Sequence, residues 1–402
     1  MYTVLLKMQK TIKNRALFTA GTAHLLHDGF TDMLYVFFPL WQVQFSLSFM
    51  EIGFMKTLFS GTMALFQVPA SALAERIGSI RLLLAGSILT SVAVYFYGWT
   101  DSSLLLSVLL VCGGLGSSVQ HPLSSSLLTH ACPEAAERRL ALSTFNMAGD
   151  FGKLLLPAAA SLLIFSFGWE SAASWMGLAG LLVTALLFFS SRTLEVPELE
   201  AERAGKKSAA ERENSGSVWK SAGKSFWALV LIGILDSATR MGFLTFFPFI
   251  LQANGADIPT TGLALSLVFA GGAMGKLICG ILSAKWGDRK TVWITESGTC
   301  LCILGMLFLP LPAELALAFI LGIVLNGTSS VLYGSVPDLV APIHCQQGFA
   351  VFYTATIAAG AVSPWLYGGL SDILGIRAAV ALVAASICLT LPLTFQWKKI
   401  SG

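Results

Sequence analysis

The chain has 402 residues, of which 55% are apolar and only 12% charged, and its mean hydropathy is +0.74. A soluble domain needs roughly 25% charged residues to clothe its surface, and a disordered chain has more charge and fewer aromatics, so both classes are excluded. The formal net charge of +3 is too small to point to nucleic acid, and the sequence reads as a membrane protein.

Segments of about 20 mostly apolar residues, enough to cross a bilayer as helices, recur about twelve times. They fall at 16–40, 52–74, 80–99, 103–129, 139–166 and 169–190, then at 225–251, 260–283, 292–310, 314–338, 347–370 and 375–396. The first follows Lys7, Lys10, Lys13 and Arg15, outruns a signal-peptide core and lacks a small-residue cleavage site, so it is expected to remain as a span. Between the two sets of six lies the one long polar stretch, 191–224, read as a cytoplasmic linker joining a bundle at 1–190 to a bundle at 225–402. The seven cysteines, mostly inside apolar runs and without a Cys-x-x-Cys pair, read as small hydrophobes.

Alternate loops sort the basic residues twenty to one, with Arg377 alone on the far side. Because cytoplasmic loops carry the excess of Lys and Arg, both termini and the linker are expected inside, and Glu51, Asp101, Glu170, Asp257, Glu314 and Asp372 outside. The short loops favour a bacterial inner membrane.

The halves repeat each other. Ser71-Ala-Leu-Ala-Glu75-Arg76-Ile-Gly78-Ser-Ile-Arg81 follows the second span, and Gly280-Ile-Leu-Ser-Ala284-Lys285-Trp-Gly287-Asp-Arg289-Lys290 follows the eighth. Cys132-Pro133 is answered by Ala341-Pro342, and Phe167-Gly168-Trp169-Glu170 by Leu374-Gly375-Ile376-Arg377. A shift of roughly 207 to 209 positions argues for two parallel six-helix repeats.

These paired loops resemble the hallmark loop of the major facilitator superfamily. Within it, His24-Leu-Leu-His27-Asp28, Phe45-Ser-Leu-Ser-Phe-Met-Glu51-Ile-Gly53, Gly116-Ser-Ser-Val-Gln120-His121-Pro122 and Phe145-Asn146-Met-Ala-Gly149-Asp150-Phe-Gly152 are similar to the fosmidomycin-resistance type of efflux transporter. The resemblance implies an all-α membrane fold of twelve helices whose first, fourth, seventh and tenth members line a central cavity. It also implies export of a drug-like solute in exchange for protons. The loop residues Glu75, Arg76, Arg81, Lys285 and Arg289 would then act as a gating latch; the acid position is Ala284 in the second copy, which places that role chiefly in the first.

Ionisable side chains at bilayer depth cost several kcal/mol unless paired or watered, which makes each a functional candidate. Here they are His24, His27, Asp28, Asp32, Lys56, His121, Asp150, Lys153, Asp236, Arg240 and Lys276, with Glu296 and Asp338 nearer the inner rim. His24, Asp28 and Asp32 recur every fourth residue and share one helical stripe, with His27 beside it. Asp236 and Arg240 have the same spacing, and the repeat shift superimposes them on Asp28 and Asp32. Two nearby carboxylates in a low dielectric cannot both ionise easily. Asp28 and Asp32, with His24, His27 and Asp236, are therefore the candidates for proton coupling.

Arg240 is the candidate anion anchor, because its fork donates two parallel hydrogen bonds; as a plain pair with Asp236 it would only neutralise two buried charges. Lys153, His121, Asp150, Asn146 and Gln120 complete the expected substrate-binding set. The leading expectation is proton-coupled export of a small anionic or zwitterionic solute by a monomer using alternating access. The alternative is transport of a divalent metal ion or metal chelate such as a siderophore, with His24, His27, Asp28 and His121 as ligands. No resident metal or cofactor is expected. No Gly-x-Ser-x-Gly, His-Glu-x-x-His or phosphate loop points to an enzyme or to ATP drive.

Overall fold

The computed structural model describes residues 2–192, 223–341 and 344–397. The expected linker at 191–224 lies, except for its ends, outside them. The described residues are almost entirely helical: α1 (Tyr2–Phe45), α2 (Phe49–Ile77), α3 (Ser79–Tyr97), α4 (Ser103–Ser117), α5 (Gln120–Ala131) and α6 (Ala135–Ser191). They continue with α7 (Lys224–Ala253), α8 (Ile258–Trp286), α9 (Asp288–Phe308), α10 (Leu311–Gly334), α11 (Cys345–Leu374), α12 (Ile376–Ile387) and α13 (Thr390–Leu393).

Ten helical stretches among the described residues are long and apolar enough to cross a membrane. Stretch 135–191 is 57 residues long and is broken at Gly168 (φ 82°, ψ 161°), where the expected fifth and sixth spans meet. The expected fourth span is one helical stretch, Ser103–Ala131, in which α4 and α5 join through a turn at Ser118 and Val119 that keeps right-handed helical dihedrals, just before Gln120-His121-Pro122. Helix α1 is long enough but is not among the ten. His24, His27, Asp28 and Asp32 interrupt its apolar sequence, and those residues build the site described below.

The internal repeat is written in the backbone. Gly78 (φ 92°) parts α2 from α3 as Gly287 (φ 84°) parts α8 from α9, and Gly168 (φ 82°) is matched by Gly375 (φ 82°) between α11 and α12. A positive φ combined with ψ near 150° is open essentially to glycine alone, which explains why these turns carry it in both halves.

The chain divides into two compact units, one made of 1–34 and 58–213, the other of 35–57 and 214–402. The first has a core in which Ala16, Ala20 and Ala23 of α1 pack with Leu83, Leu128, Phe145 and Leu187. In the second, Phe226, Leu229 and Ile232 of α7 pack with Val292, Leu332, Val336 and Phe352. Between helices of a membrane bundle, van der Waals contact rather than hydrophobic exclusion provides the attraction, and small residues permit it. A Cβ on Gly271 would lie 2.0 Å from the Phe319 carbonyl, and one on Gly322 equally close to that of Val268, so α8 and α10 touch backbone to backbone.

Helix ends are tied down by caps. Ser48 and Glu51 exchange side chain-to-amide bonds in a capping box at the start of α2, and Asp372 accepts from the Phe49 and Met50 amides at 2.8 and 2.9 Å in the second unit. Asp257 caps α8 by accepting from the Thr260 amide at 2.8 Å. Glu314, expected outside, is fully buried and accepts from Asn254, whose side-chain oxygen accepts in turn from Arg377.

Candidate functional site

In the first unit, α1 passes close to α6 because glycines face it. A Cβ on Gly152 would lie 2.0 Å from the Leu25 carbonyl, and one on Gly149 would lie 2.6 Å from both Asp28 Oδ2 and His24 Cε1. Gly149 thus leaves the Asp28 carboxylate room against α6. Lys153, one helical turn further on, brings its Nζ to 3.3 Å from the same oxygen.

Asp28 is the hub. Its Oδ1 accepts from His27 Nδ1 at 2.9 Å and lies 3.9 Å from His121 Nε2, while Oδ2 lies 3.3 Å from His24 Nε2 as well as from Lys153. His24, His27 and Asp28 are buried, and the His121 and Lys153 side chains remain about one-third exposed (33% and 32%). The His121 ring stands edge-on to both His24 and His27, with centroids 5.0 and 4.9 Å away. Gln120 and His121 open α5, and Pro122 beside them has no backbone N–H to give. The His24 ring stacks on Phe145 at 4.0 Å, and its Nδ1 bonds to the Phe145 carbonyl at 2.8 Å.

Of the expected residues, the structure brings together His24, His27, Asp28, His121 and Lys153. Gln120 is buried beside His27, where both line a small void with Ser87, Thr90 and Ser117. Asp32 is buried one turn beyond Asp28, Asp150 is half-buried on α6, and Asn146 is exposed. Asp236 and Arg240 lie on α7 in the second unit, where Arg240 Nε is buried without a hydrogen-bond partner. Glu296, fully buried on α9, lies within electrostatic reach of both and also leaves one oxygen, Oε1, unpartnered. The helix-end residues Glu75, Arg76, Arg81, Lys285 and Arg289 are exposed, and Arg289 stacks on Phe395 at 4.3 Å.

Two contributors escaped the sequence. The Phe145 carbonyl is backbone, which residue type does not reveal. Gly149 reads as packing until the groups it faces are known. Glu296 was visible as a membrane acid, but its position near the inner rim hid its link to Asp236 and Arg240.

Apolar helices that repeat in two halves, around a buried, ion-paired carboxylate ringed by imidazoles, make this a multi-pass membrane protein. The family follows from the sequence profile of the Major Facilitator Superfamily, which matches residues 20–235 and 229–399, and the chain belongs to it. It is 27% identical to the fosmidomycin resistance protein of Escherichia coli, over 92% of this chain and 88% of that one. It is 21% identical to a probable sulfoacetate transporter of Cupriavidus necator, over 91% and 89%. A bacterial homologue of the human lysosomal transporter Spinster has the same fold, with a TM-score of 0.79 at 16% identity over 94% of this chain and 95% of that one.

Proposed function

We propose that the protein is a secondary transporter that moves a small organic anion or zwitterion across a bacterial inner membrane, coupled to protons, by alternating access of its two repeats. The observation that carries this reading is the Lys153–Asp28 pair at 3.3 Å. A carboxylate held by one ammonium inside an apolar bundle binds either that ammonium or a proton. Once Asp28 is protonated, Lys153 loses that partner, and its ammonium can turn to a carboxylate, sulfonate or phosphonate.

His24, His27 and His121 surround the carboxylate and form the route by which a proton reaches it. Arg240 offers a second anion anchor, with Asp236 beside it. Asp32, Asp150, Gln120 and Asn146 shape the surroundings of these two centres, and the charged helix ends at Glu75, Arg76, Arg81, Lys285 and Arg289 gate the cytoplasmic side. Both termini are cytoplasmic, and the working unit is a monomer. Relatives named for fosmidomycin resistance and for sulfoacetate support an anionic solute.

Export in exchange for protons follows from the resemblance. The shared Lys153 favours a second sense of coupling, in which proton and anion bind together and move the same way. Proteoliposomes under an imposed pH gradient distinguish the two, using a sulfonate, a phosphonate and an aldarate as solutes and protein-free vesicles as controls. Accumulation on the acidic side means exchange, and accumulation on the alkaline side means co-movement. Flux of all three solutes that ignores the gradient refutes proton coupling.

A further inference from the structure

The geometry points to a binding site for a first-row divalent cation of the Zn²⁺ or Co²⁺ class at His24, His27, His121 and Asp28, in competition with Lys153. The four residues each offer one donor atom, and these atoms lie within 4.8 Å of one another. In a tetrahedral zinc site with bonds of 2.0–2.1 Å, donor atoms sit about 3.3 Å apart, so the set is open by roughly 1.5 Å and closes by side-chain rotation. Three imidazoles and one carboxylate suit Zn²⁺, Co²⁺ or Ni²⁺ and exclude the all-oxygen preference of Mg²⁺ and Ca²⁺.

The hydrogen bonds orient the rings for such an ion. A carbonyl only accepts, so the Phe145 oxygen fixes the proton of His24 on Nδ1. In the neutral ring the lone pair is then on Nε2, which is buried and 3.3 Å from another acceptor, Asp28 Oδ2. Two acceptors facing each other are relieved by a cation between them, either a proton on Nε2 or a metal ion. His27 differs: its Nδ1, 2.9 Å from Asp28 Oδ1, is the nitrogen on the carboxylate's side and would ligate once it gives up that hydrogen bond. Imidazoles that ligate metals characteristically give their other ring proton to a backbone carbonyl or a carboxylate, as His24 gives its own to Phe145. Gly149 lets Asp28 Oδ2 and His24 lie directly against α6, since a Cβ there would come within 2.6 Å of each.

Lys153 is the built-in competitor, because its ammonium already occupies one side of Oδ2 at 3.3 Å. Being about one-third exposed, it has somewhere to go when an ion takes its place. A bound ion would hold Asp28 against both proton and lysine and so stop the transport cycle proposed above; the binding itself does not depend on that reading.

The test is titration of the tag-free, chelator-treated protein in detergent with Co²⁺, followed by its visible ligand-field bands, and with Zn²⁺ by calorimetry. The expected result is one ion per chain with tetrahedral bands that Zn²⁺ displaces. Affinity should fall at least about tenfold in His24→Gln and in His121→Gln, the loss typical of a disturbed metal shell. His130→Gln and His344→Gln should leave it unchanged. Lys153→Met retains every ligand and should tighten binding by about tenfold or more, which is about 1.4 kcal/mol. Absence of saturable binding overturns the proposal. So does binding unaltered in a His24→Gln, His27→Gln, His121→Gln triple variant, or an affinity in Lys153→Met no tighter than wild type.

Discussion

His24 Nδ1 donates to the carbonyl of Phe145 at 2.8 Å, and this single bond between α1 and α6 decides which nitrogen of His24 faces Asp28. Because the carbonyl cannot donate, the Nδ1–H form holds whether the ring is neutral or cationic. Nitrogen-15 spectra of histidine-labelled protein, with His24 assigned by its Gln variant, should show Nδ1 protonated throughout the neutral range. A neutral Nε2–H form would separate α1 from α6 at this point.

Lys153 and Asp28 form a pair whose halves are worth more together than alone. Removing the lysine in Lys153→Met leaves a buried carboxylate with only imidazole partners, and thermal unfolding should show a loss of about 1–3 kcal/mol. This is below the usual cost of breaking a buried pair because the ammonium is partly solvated. The double variant Asp28→Asn, Lys153→Met should recover most of the loss, and a double-mutant cycle measures the coupling. Additive losses would mean that the two side chains do not act as a pair.

Gly149→Ala tests the room left for the carboxylate. Its new methyl would press within 2.6 Å of Asp28 Oδ2 and His24 Cε1. Overpacking of this kind costs about 1–3 kcal/mol, and solute flux should fall much more than the amount of folded protein does. Equal flux per folded molecule would show that α1 can give way.

The helical repeat was legible in the sequence because hydropathy, charge asymmetry and the Gly78/Gly287 and Gly168/Gly375 pairs all register on the primary structure. The stripe of His24 and Asp28 was legible for the same reason, since helical spacing fixes neighbours along one element. What joins elements was not. His121 meets His24 and His27 across helices; Pro122 signalled a bend beside it, but no spacing says which helix it faces. Lys153 could equally have turned to Asp150 three residues away. Glu314 has a loop position in the sequence, which does not reveal that tertiary packing buries it against Asn254.

Asp257, at the head of α8, makes a pH-dependent cap. Hydrogen bonds from the Thr260 side chain and amide hold its carboxyl below the usual carboxylate range. A depressed acid adds stability above its unfolded value, about pH 3.9, and loses it as pH falls through the folded value. Wild type should therefore outlast Asp257→Ala in thermal unfolding at neutral pH. The gap should narrow below about pH 4 as the carboxyl takes up its proton. A gap constant down to strongly acidic pH would mean that the charge contributes nothing to the cap.

In the proposed cycle Asp28 takes up the transported proton. Proteoliposomes containing a trapped pH dye, without an imposed gradient, report proton movement when the anionic solute is added, and radiolabelled solute reports its flux in the same vesicles. Wild type should move protons with the solute at a fixed ratio, whereas Asp28→Asn should still exchange solute for solute but carry no protons. Proton movement at the wild-type ratio in Asp28→Asn would contradict the account.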